Sequence, residues 1–399
     1  MIPKDNFILL KGIRVYSEGK IIEDGYIKIK NKKILELGSV ESLIPENTMD
    51  FLIIDFPSVY QAIPGLIDVH IHGVNGADTM DGTSEALDTM VTSLPMEGTT
   101  SFLATTMTQS SEKIEQALKT VGNYIGKQPA QGCAEILGIH LEGPFVNTAM
   151  AGAQPLEHII DPDLSLFKEW EKQANHQIKL VTLAPELPNC LELIAYLKKR
   201  EIIASIGHTN ASYEEVQNAI HVGASHVTHL FNQMRGLHHR EPGTAGAALL
   251  LDELKCELIV DGVHLRPEMV KLAYKQKGSK GLVLITDAMR AKCLKNGQYD
   301  LGGQTVHVKD GKATLENGTL AGSILKLGQA VKNIVYFTGC SLQEAIEMAS
   351  TNPAKELKVF DRKGSIAVGK DADIVILDEH LEVVMTFCRG VLSYKKEEF

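Results

Sequence analysis

The chain has 399 residues, 44% hydrophobic and 23% charged, with a formal net charge of -10. This composition allows a large buried core and excludes an intrinsically disordered chain, and the acidic balance without any Lys/Arg block argues against nucleic acid as a partner. Six widely spaced cysteines with no CxxC pair signal neither a disulfide framework nor a zinc-thiolate site, so reduced thiols and a cytoplasmic location are expected.

The N-terminal MIPKDNFILLKG lacks a basic segment followed by a long apolar run, and nowhere do about 18 apolar residues follow one another. A soluble, unexported protein with no membrane partner is expected. Over the first 60 residues short apolar runs alternate with Ser-Glu-Gly, Glu-Asp-Gly and Asn-Lys-Lys turn signals, which predicts a small antiparallel sheet. From about residue 63 the texture changes. Eight apolar runs, AIPGLIDVHIH, TSFLATTM, AEILGIHLEGP, KLVTLAPE, IIASIGHT, SHVTHLF, CELIVDGVH and GLVLITDA, are separated by segments with helical spacing such as SSEKIEQALKTVGNYI and SYEEVQNAIHVG. Eight strand-helix units predict an α/β fold, a (β/α)8 TIM-like barrel over residues 63–363.

After the eighth run, GQYDLGGQTVHVKDGKATLENGTLAGS predicts a β-hairpin excursion around 295–320, and LQEAIEMASTNPAKEL a late helix. The C-terminal GSIAVGKDADIVILD and LEVVMTFCRGVLSYK read as three more strands. Residues 1–62 and 364–399 are therefore expected to combine into one small β domain, a sandwich built by both chain ends.

The active site of such a barrel lies at the C-terminal ends of its strands. Run one ends in His70 and His72, run three in Glu142, run five in His208, run six in His229 and run eight in Asp287. Alternate residues of a strand share a face, so His70 and His72 both aim into the barrel mouth. A single histidine at a strand end is more often a packed rim residue than a ligand. Six ligand-type residues at strand ends of one barrel point instead to a metal centre, and a carboxylate such as Glu142 can bridge two cations. His140 shares the face of Glu142 and suits either an outer contact or packing. His158, His176, His221, His307 and His380 fall in helices, turns or the hairpin and are expected at the surface. The glycine-rich LGGQ and GTLAGS lack the Lys-Ser/Thr ending of a phosphate loop.

At these residues the chain resembles the amidohydrolase superfamily and, within it, the N-acetylglucosamine-6-phosphate deacetylase family. PGLIDVHIHG, HLEGPF, GHT, THLFNQM, HREPG, VDGVH, TDAM and LAGS occur in the family's order, and NPAK with GSIAVGKDADIVILD resembles its closing segment. Many superfamily relatives use a carboxylated lysine on the fourth strand. Here that strand ends in TLAPE without lysine, and LEGP supplies the carboxylate.

The resemblance implies His70 and His72 as ligands of one divalent metal, His208 and His229 of a second, Glu142 common to both, and Asp287 as the catalytic carboxylate and a further metal contact. It implies two metals per chain, drawn from Zn, Fe, Mn or Co, and a homodimer. Substrate contacts are implied at Ala153, Gln154, Asn232, Gln233, Arg240, His264, Leu320, Ala321 and Gly322. Where many members have a carbonyl-polarising histidine, this chain has Gln154, which donates a hydrogen bond but cannot carry a proton. The implied reaction is hydrolysis of N-acetyl-D-glucosamine 6-phosphate to D-glucosamine 6-phosphate and acetate, with Arg240 and His264 as phosphate partners. Its rivals are another amidohydrolase, such as an N-acyl-amino-acid deacetylase or cyclic-amide hydrolase, and a scaffold that has lost the chemistry. The former has no need of Arg240 and His264, and the intact ligand set argues against the latter.

Overall fold

Each of the eight apolar runs forms a strand in the computed structural model, which describes residues 7–44, 48 and 51–397. The strands are β1 (Leu66–Ile71), β2 (Thr99–Thr105), β3 (Glu135–Glu142), β4 (Ile178–Leu183), β5 (Ile203–Ile206), β6 (His226–Val227), β7 (Lys255–Ile259) and β8 (Leu282–Ile285). They pair in chain order and in parallel. Helices cover their outer face, so the strands are buried on both sides and read as near-continuous apolar runs rather than alternating ones.

Local chemistry agrees with this layout. The helix Tyr213–Val222 starts on a reciprocal cap, in which Ser212 accepts from the Glu215 amide and the Glu215 carboxylate accepts from the Ser212 amide. Asp163 caps Leu164–Gln173 in a similar way, accepting from the amides of Ser165 and Leu166.

The barrel closes between β8 and β1, where polar groups replace a regular ladder. The Asp287 amide donates to the His70 carbonyl at 2.9 Å and the His72 amide to the Ala288 carbonyl at 2.9 Å. Below them the buried Asp68 carboxylate accepts from the Thr286 hydroxyl at 2.6 Å. Burial raises the Asp68 pKa to about 6, against the opposing pull of Lys292 and Thr286. The seam thus brings the ends of the first and last strands together.

Residues 297–314 form an excursion of three antiparallel strands, Gly297–Leu301, Gln304–Lys309 and Lys312–Thr314, where a hairpin was expected. Leu301, Val306 and Ala321 pack there against Met107 and Met289. Gln109 Nε2 fastens the excursion to the barrel mouth by donating to the Gly302 carbonyl at 2.9 Å.

Strands from both chain ends share a second sheet and its own core, in which Ile8, Leu10, Ile27 and Ile29 meet Ile374, Ile376 and Phe387. The fold is therefore a barrel with a strand sandwich contributed by the chain ends. Residues 1–6 and 398–399 lie outside the described residues. One expectation changes: the first 60 residues are not purely antiparallel. Leu52–Asp55 and Gln61–Pro64 pair in parallel with Phe7–Ser17, so each runs in the same direction as that strand rather than against it as in a hairpin.

A buried ion network joins this sheet to the barrel. Glu135 at the start of β3 takes two hydrogen bonds from the Arg362 guanidinium, at 2.7 and 2.9 Å, and lies 2.9 Å from Lys363 Nζ. Burial would raise the Glu135 pKa, but these cations win and hold it at about 2, against an ordinary 4.5. A depressed folded-state pKa contributes stability that is complete above the ordinary value and lost as pH falls towards 2, on the order of 3 kcal/mol here. Glu135→Gln is accordingly expected to be markedly less stable than the parent at pH 7, with the gap narrowing between pH 5 and pH 2. Urea unfolding across that range checks this, and a gap independent of pH would refute it.

All six cysteines are unpaired. No helix among the described residues is long and apolar enough to cross a membrane.

Candidate metal centre and active-site cavity

Three strand ends that deliver donors leave the extended conformation abruptly. His208, His229 and Asp287 follow β5, β6 and β8 with φ of 47°, 31° and 47°. Non-glycine residues rarely adopt this left-handed region, and clusters of such residues are found where function dictates side-chain direction. The turns swing these side chains to meet His70 and Glu142, which lie on β1 and β3, and His72, which directly follows β1.

The six side chains form two sets, His70, His72 and Asp287, and Glu142, His208 and His229, with the donor atoms of each set within 4.8 Å of one another. Glu142 Oε1 is 3.3 Å from His208 Nε2, 3.3 Å from His229 Nε2 and 3.4 Å from His70 Nε2. Its Oε2 is 3.3 Å from His72 Nε2. Asp287 Oδ1 is 3.2 Å from His72 Nε2 and 3.4 Å from His70 Nε2. A tetrahedral centre with bonds of about 2.0–2.1 Å separates its donors by about 3.3–3.4 Å, so this spacing suits a metal.

The hydrogen bonding agrees. His208 Nδ1 lies 2.9 Å from the Met150 carbonyl, which makes it the protonated nitrogen, so Nε2 keeps its lone pair. That lone pair lies only 3.1 Å from His229 Nε2, and His70 Nε2 is buried without a hydrogen-bond partner. A cation held between the rings would satisfy these nitrogens together. The electrostatics point the same way. Burial alone would lower the pKa of His72, yet Asp287 and Glu142 raise it to about 10, and Glu142, Asp287 and Glu257 hold His70 well above its ordinary 6.5. The site is a negative well that holds positive charge, as a proton or as a metal.

The donors open onto a cavity of ≈ 310 Å³, a volume typical of small-molecule sites. His72, Glu142, His208, His229 and Asp287 form its floor. Gln154, Asn232, Gln233 and His264 add polar walls, with Ala153, Leu320 and Gly322 beside them. Gln154 is locked. Its Oε1 accepts from the Thr108 amide at 2.9 Å and its Nε2 donates to Glu142 Oε2 at 2.9 Å, leaving one N–H free. His264 Nδ1 pairs with Asp261 Oδ2 at 2.7 Å, so Nε2 is its free nitrogen. Burial opposes charge on His264, but Asp261 outweighs it and raises the pKa.

Two residues expected to contact substrate do not line this cavity. The Ala321 side chain is fully buried beneath the excursion beside Met289, because the turn through LAGS points that methyl group away from the mouth. Arg240 is exposed, with Nη1 2.7 Å from His239 Nε2, and does not line the cavity of its own chain. His140 is a packing residue: it is buried, bonded to the Thr182 hydroxyl at 2.7 Å, and its ring meets that of His70 edge-on at 4.5 Å. Burial and the positive field of His70 keep it neutral, with a pKa well below the ordinary value.

The sequence reading does not single out Glu257, although its Oε2 lies 3.0 Å from His70 Nδ1. The available signal was a carboxylate inside the otherwise apolar CELIV of a barrel strand.

A strand-end metal site at the mouth of a (β/α)8 barrel, beside a strand sandwich from the chain ends, defines a class of metal-dependent hydrolases. The sequence profile of the amidohydrolase family matches residues 62–392, and the chain belongs to that family. It is 47% identical over 392 residues to N-acetylglucosamine-6-phosphate deacetylase of Bacillus subtilis (strain 168), with 98% of each chain covered. Among solved structures it is similar to N-acetylglucosamine-6-phosphate deacetylase from Thermotoga maritima, with TM-score 0.86, 39% identity and coverage of 98% and 100%. It is also similar to a mutant Mycobacterium smegmatis N-acetyl-D-glucosamine-6-phosphate deacetylase in complex with N-acetyl-D-glucosamine-6-phosphate, with TM-score 0.91, 29% identity and coverage of 98% and 100%.

Proposed function

We propose that this chain hydrolyses N-acetyl-D-glucosamine 6-phosphate to D-glucosamine 6-phosphate and acetate. The observation that carries the reading is the convergence of both donor sets, Asp287 among them, on one sugar-sized cavity. His70, His72 and Asp287 would hold one divalent ion and His208 and His229 the other, with Glu142 common to both, the ions drawn from zinc, iron, manganese or cobalt. Bound there, such ions lower the pKa of water and polarise a carbonyl.

The chain's own groups do the rest. Water adds to the acetyl carbonyl carbon as Asp287 takes its proton. Asp287 then returns the proton to the amide nitrogen as the C–N bond breaks, because an amine anion is too poor a leaving group to depart unprotonated. The free N–H of Gln154 faces the cavity, where it can donate to the acetyl oxygen as charge develops there. His264, held by Asp261, contacts the sugar phosphate. Assays of acetate release from N-acetylglucosamine with and without the 6-phosphate test the assignment. Faster turnover of the unphosphorylated sugar would overturn it.

Elemental analysis of protein purified without chelator is expected to approach two metals per chain. A stoichiometry of one that persists after metal supplementation, with full activity, would sink the binuclear reading.

Arg240 is assigned to the 6-phosphate in a homodimer, reaching the cavity of the second copy. Its exposure, next to a Leu237 that is 59% exposed, supports a role outside its own chain. Charge-assisted hydrogen bonds are worth roughly 1.5–3 kcal/mol each, so Arg240→Ala is expected to lower kcat/KM for the phosphorylated sugar by about ten- to several-hundred-fold. Turnover of the unphosphorylated sugar should scarcely change. Equal losses on both substrates would remove Arg240 from the phosphate site.

A further inference from the structure

We infer that Glu257, backed by His226 and Glu356, is a positioning residue that ties the two donor sets together and sets how tightly the metal centre is held. The inference rests on the metal-centre reading above and extends it along the barrel axis.

Glu257 lies on β7 and is fully buried inside the barrel. Its Oε2 is 3.0 Å from His70 Nδ1 and accepts from the His229 backbone N–H at 3.1 Å. One oxygen atom therefore grips a member of each donor set, His70 by its ring and His229 by its backbone. Among the described residues, no other side chain outside the donor sets bonds to a member of each. The second oxygen, Oε1, is 3.2 Å from His226 Nε2, and His226 Nδ1 is 3.1 Å from Glu356 Oε1.

The proton inventory of this row is constrained. An imidazole flanked by two ionised carboxylates has only acceptors facing it, so both of its nitrogens must carry hydrogen. His226 then donates to Glu257 on one side and to Glu356 on the other. Glu257, as an ionised acceptor, requires the proton of His70 to sit on Nδ1. That leaves the lone pair of His70 on Nε2, the atom that faces Glu142 and Asp287 at 3.4 Å each. A carboxylate behind a ligating histidine fixes its tautomer, limits its rotation and increases its basicity, and such outer partners typically contribute 10–100-fold to metal affinity.

The row is anchored at the far end of the barrel. His226 opens β6, and Glu356 ends the helix Asn352–Glu356. That helix is held under the strand starts by Asn352 Nδ2, which donates to the Leu282 carbonyl at 2.8 Å, and the helical turn before it, Glu347–Thr351, by the Ser350 hydroxyl, which donates to the Gly65 carbonyl at 2.7 Å. The Glu356 side chain is 14% exposed and borders a second cavity on that face. A chain of side chains therefore links the catalytic mouth to the opposite face of the barrel.

A row that merely stabilised the barrel would alter unfolding without altering the metal, so the test reads the metal directly. Parent, Glu257→Gln and Glu356→Gln are stripped, loaded with Co²⁺ and titrated against a competing chelator, and their visible cobalt spectra are recorded alongside circular dichroism. Glu257→Gln is expected to bind Co²⁺ about 10- to 100-fold more weakly, with a changed spectrum. Glu356→Gln is expected to shift affinity in the same direction by a smaller factor. A folded Glu257→Gln with the parent's affinity and spectrum would overturn the inference. Should that variant fail to fold, parent-like affinity in Glu356→Gln would overturn it instead. A parent that takes up no cobalt would bring down the metal-centre reading as well, whereas parent-like binding by the variants removes only this inference.

Discussion

Asp287→Asn is expected to lower kcat on N-acetyl-D-glucosamine 6-phosphate by about 10²- to 10⁴-fold, the range associated with loss of a general acid-base group. The fold should survive. Asp287 has φ of 47°, a region that asparagine tolerates well, and its structural hydrogen bond, to the His70 carbonyl at 2.9 Å, comes from the backbone. What changes is the carboxylate. Burial would raise the Asp287 pKa, but the positive field of His70 and His72 dominates and keeps it below the usual 3.8, so the group is ionised. An amide can neither accept that proton nor deliver it to nitrogen. Because Asp287 Oδ1 lies 3.2 Å from His72 Nε2, metal content must be measured with the rate. A variant that keeps its metal and more than about a tenth of the parent kcat would assign the proton transfers to another group.

Glu142→Gln is expected to cost the centre its metal altogether. Among the described residues Glu142 is the carboxylate that reaches all four histidines, with Oε1 3.3–3.4 Å from His70, His208 and His229 and Oε2 3.3 Å from His72. The amide removes the negative charge and turns an N–H₂ group towards imidazoles or towards Gln154. Outer partners of metal ligands are worth 10–100-fold in affinity, so loss of this group should exceed about 100-fold. Thermal unfolding with and without added metal provides the check. A ligand that binds only the folded state adds about 2.7 kcal/mol at a hundredfold excess over Kd, so the parent's Tm should rise with zinc or cobalt while that of Glu142→Gln stays level. An equal rise in both would show that Glu142 is not a ligand.

The barrel was legible because strands buried on both faces must be continuously apolar, and eight such runs separated by helical spacing leave little alternative. The donors were legible for a related reason. A histidine or carboxylate that ends an apolar run, as in VHIH, HLEG and TDAM, interrupts burial at the point where a barrel opens to its mouth. The excursion and the three C-terminal strands followed from turn chemistry. The parallel pairing of Leu52–Asp55 and Gln61–Pro64 with the first strand did not, because no local signal distinguishes a strand that turns back from one that crosses over.

By itself, then, the sequence determined the strand-helix alternation, the six strand-end donors and the acidic, cysteine-poor chemistry of the chain, since each is a property of spacing or residue type. Only the tertiary structure decided which polar groups meet. The Asp68 seam joins β8 to β1, and Gln154 reaches both Thr108 and Glu142. Arg240 stays outside its own cavity. The row Glu257–His226–Glu356 assembles from β7, β6 and a late helix, more than 100 residues apart at its last step. Hydrogen bonds act over about 3 Å and are blind to distance along the chain. Partners that close a barrel or hold a ligand from behind are therefore set by how the strands curl, which no single stretch of sequence records.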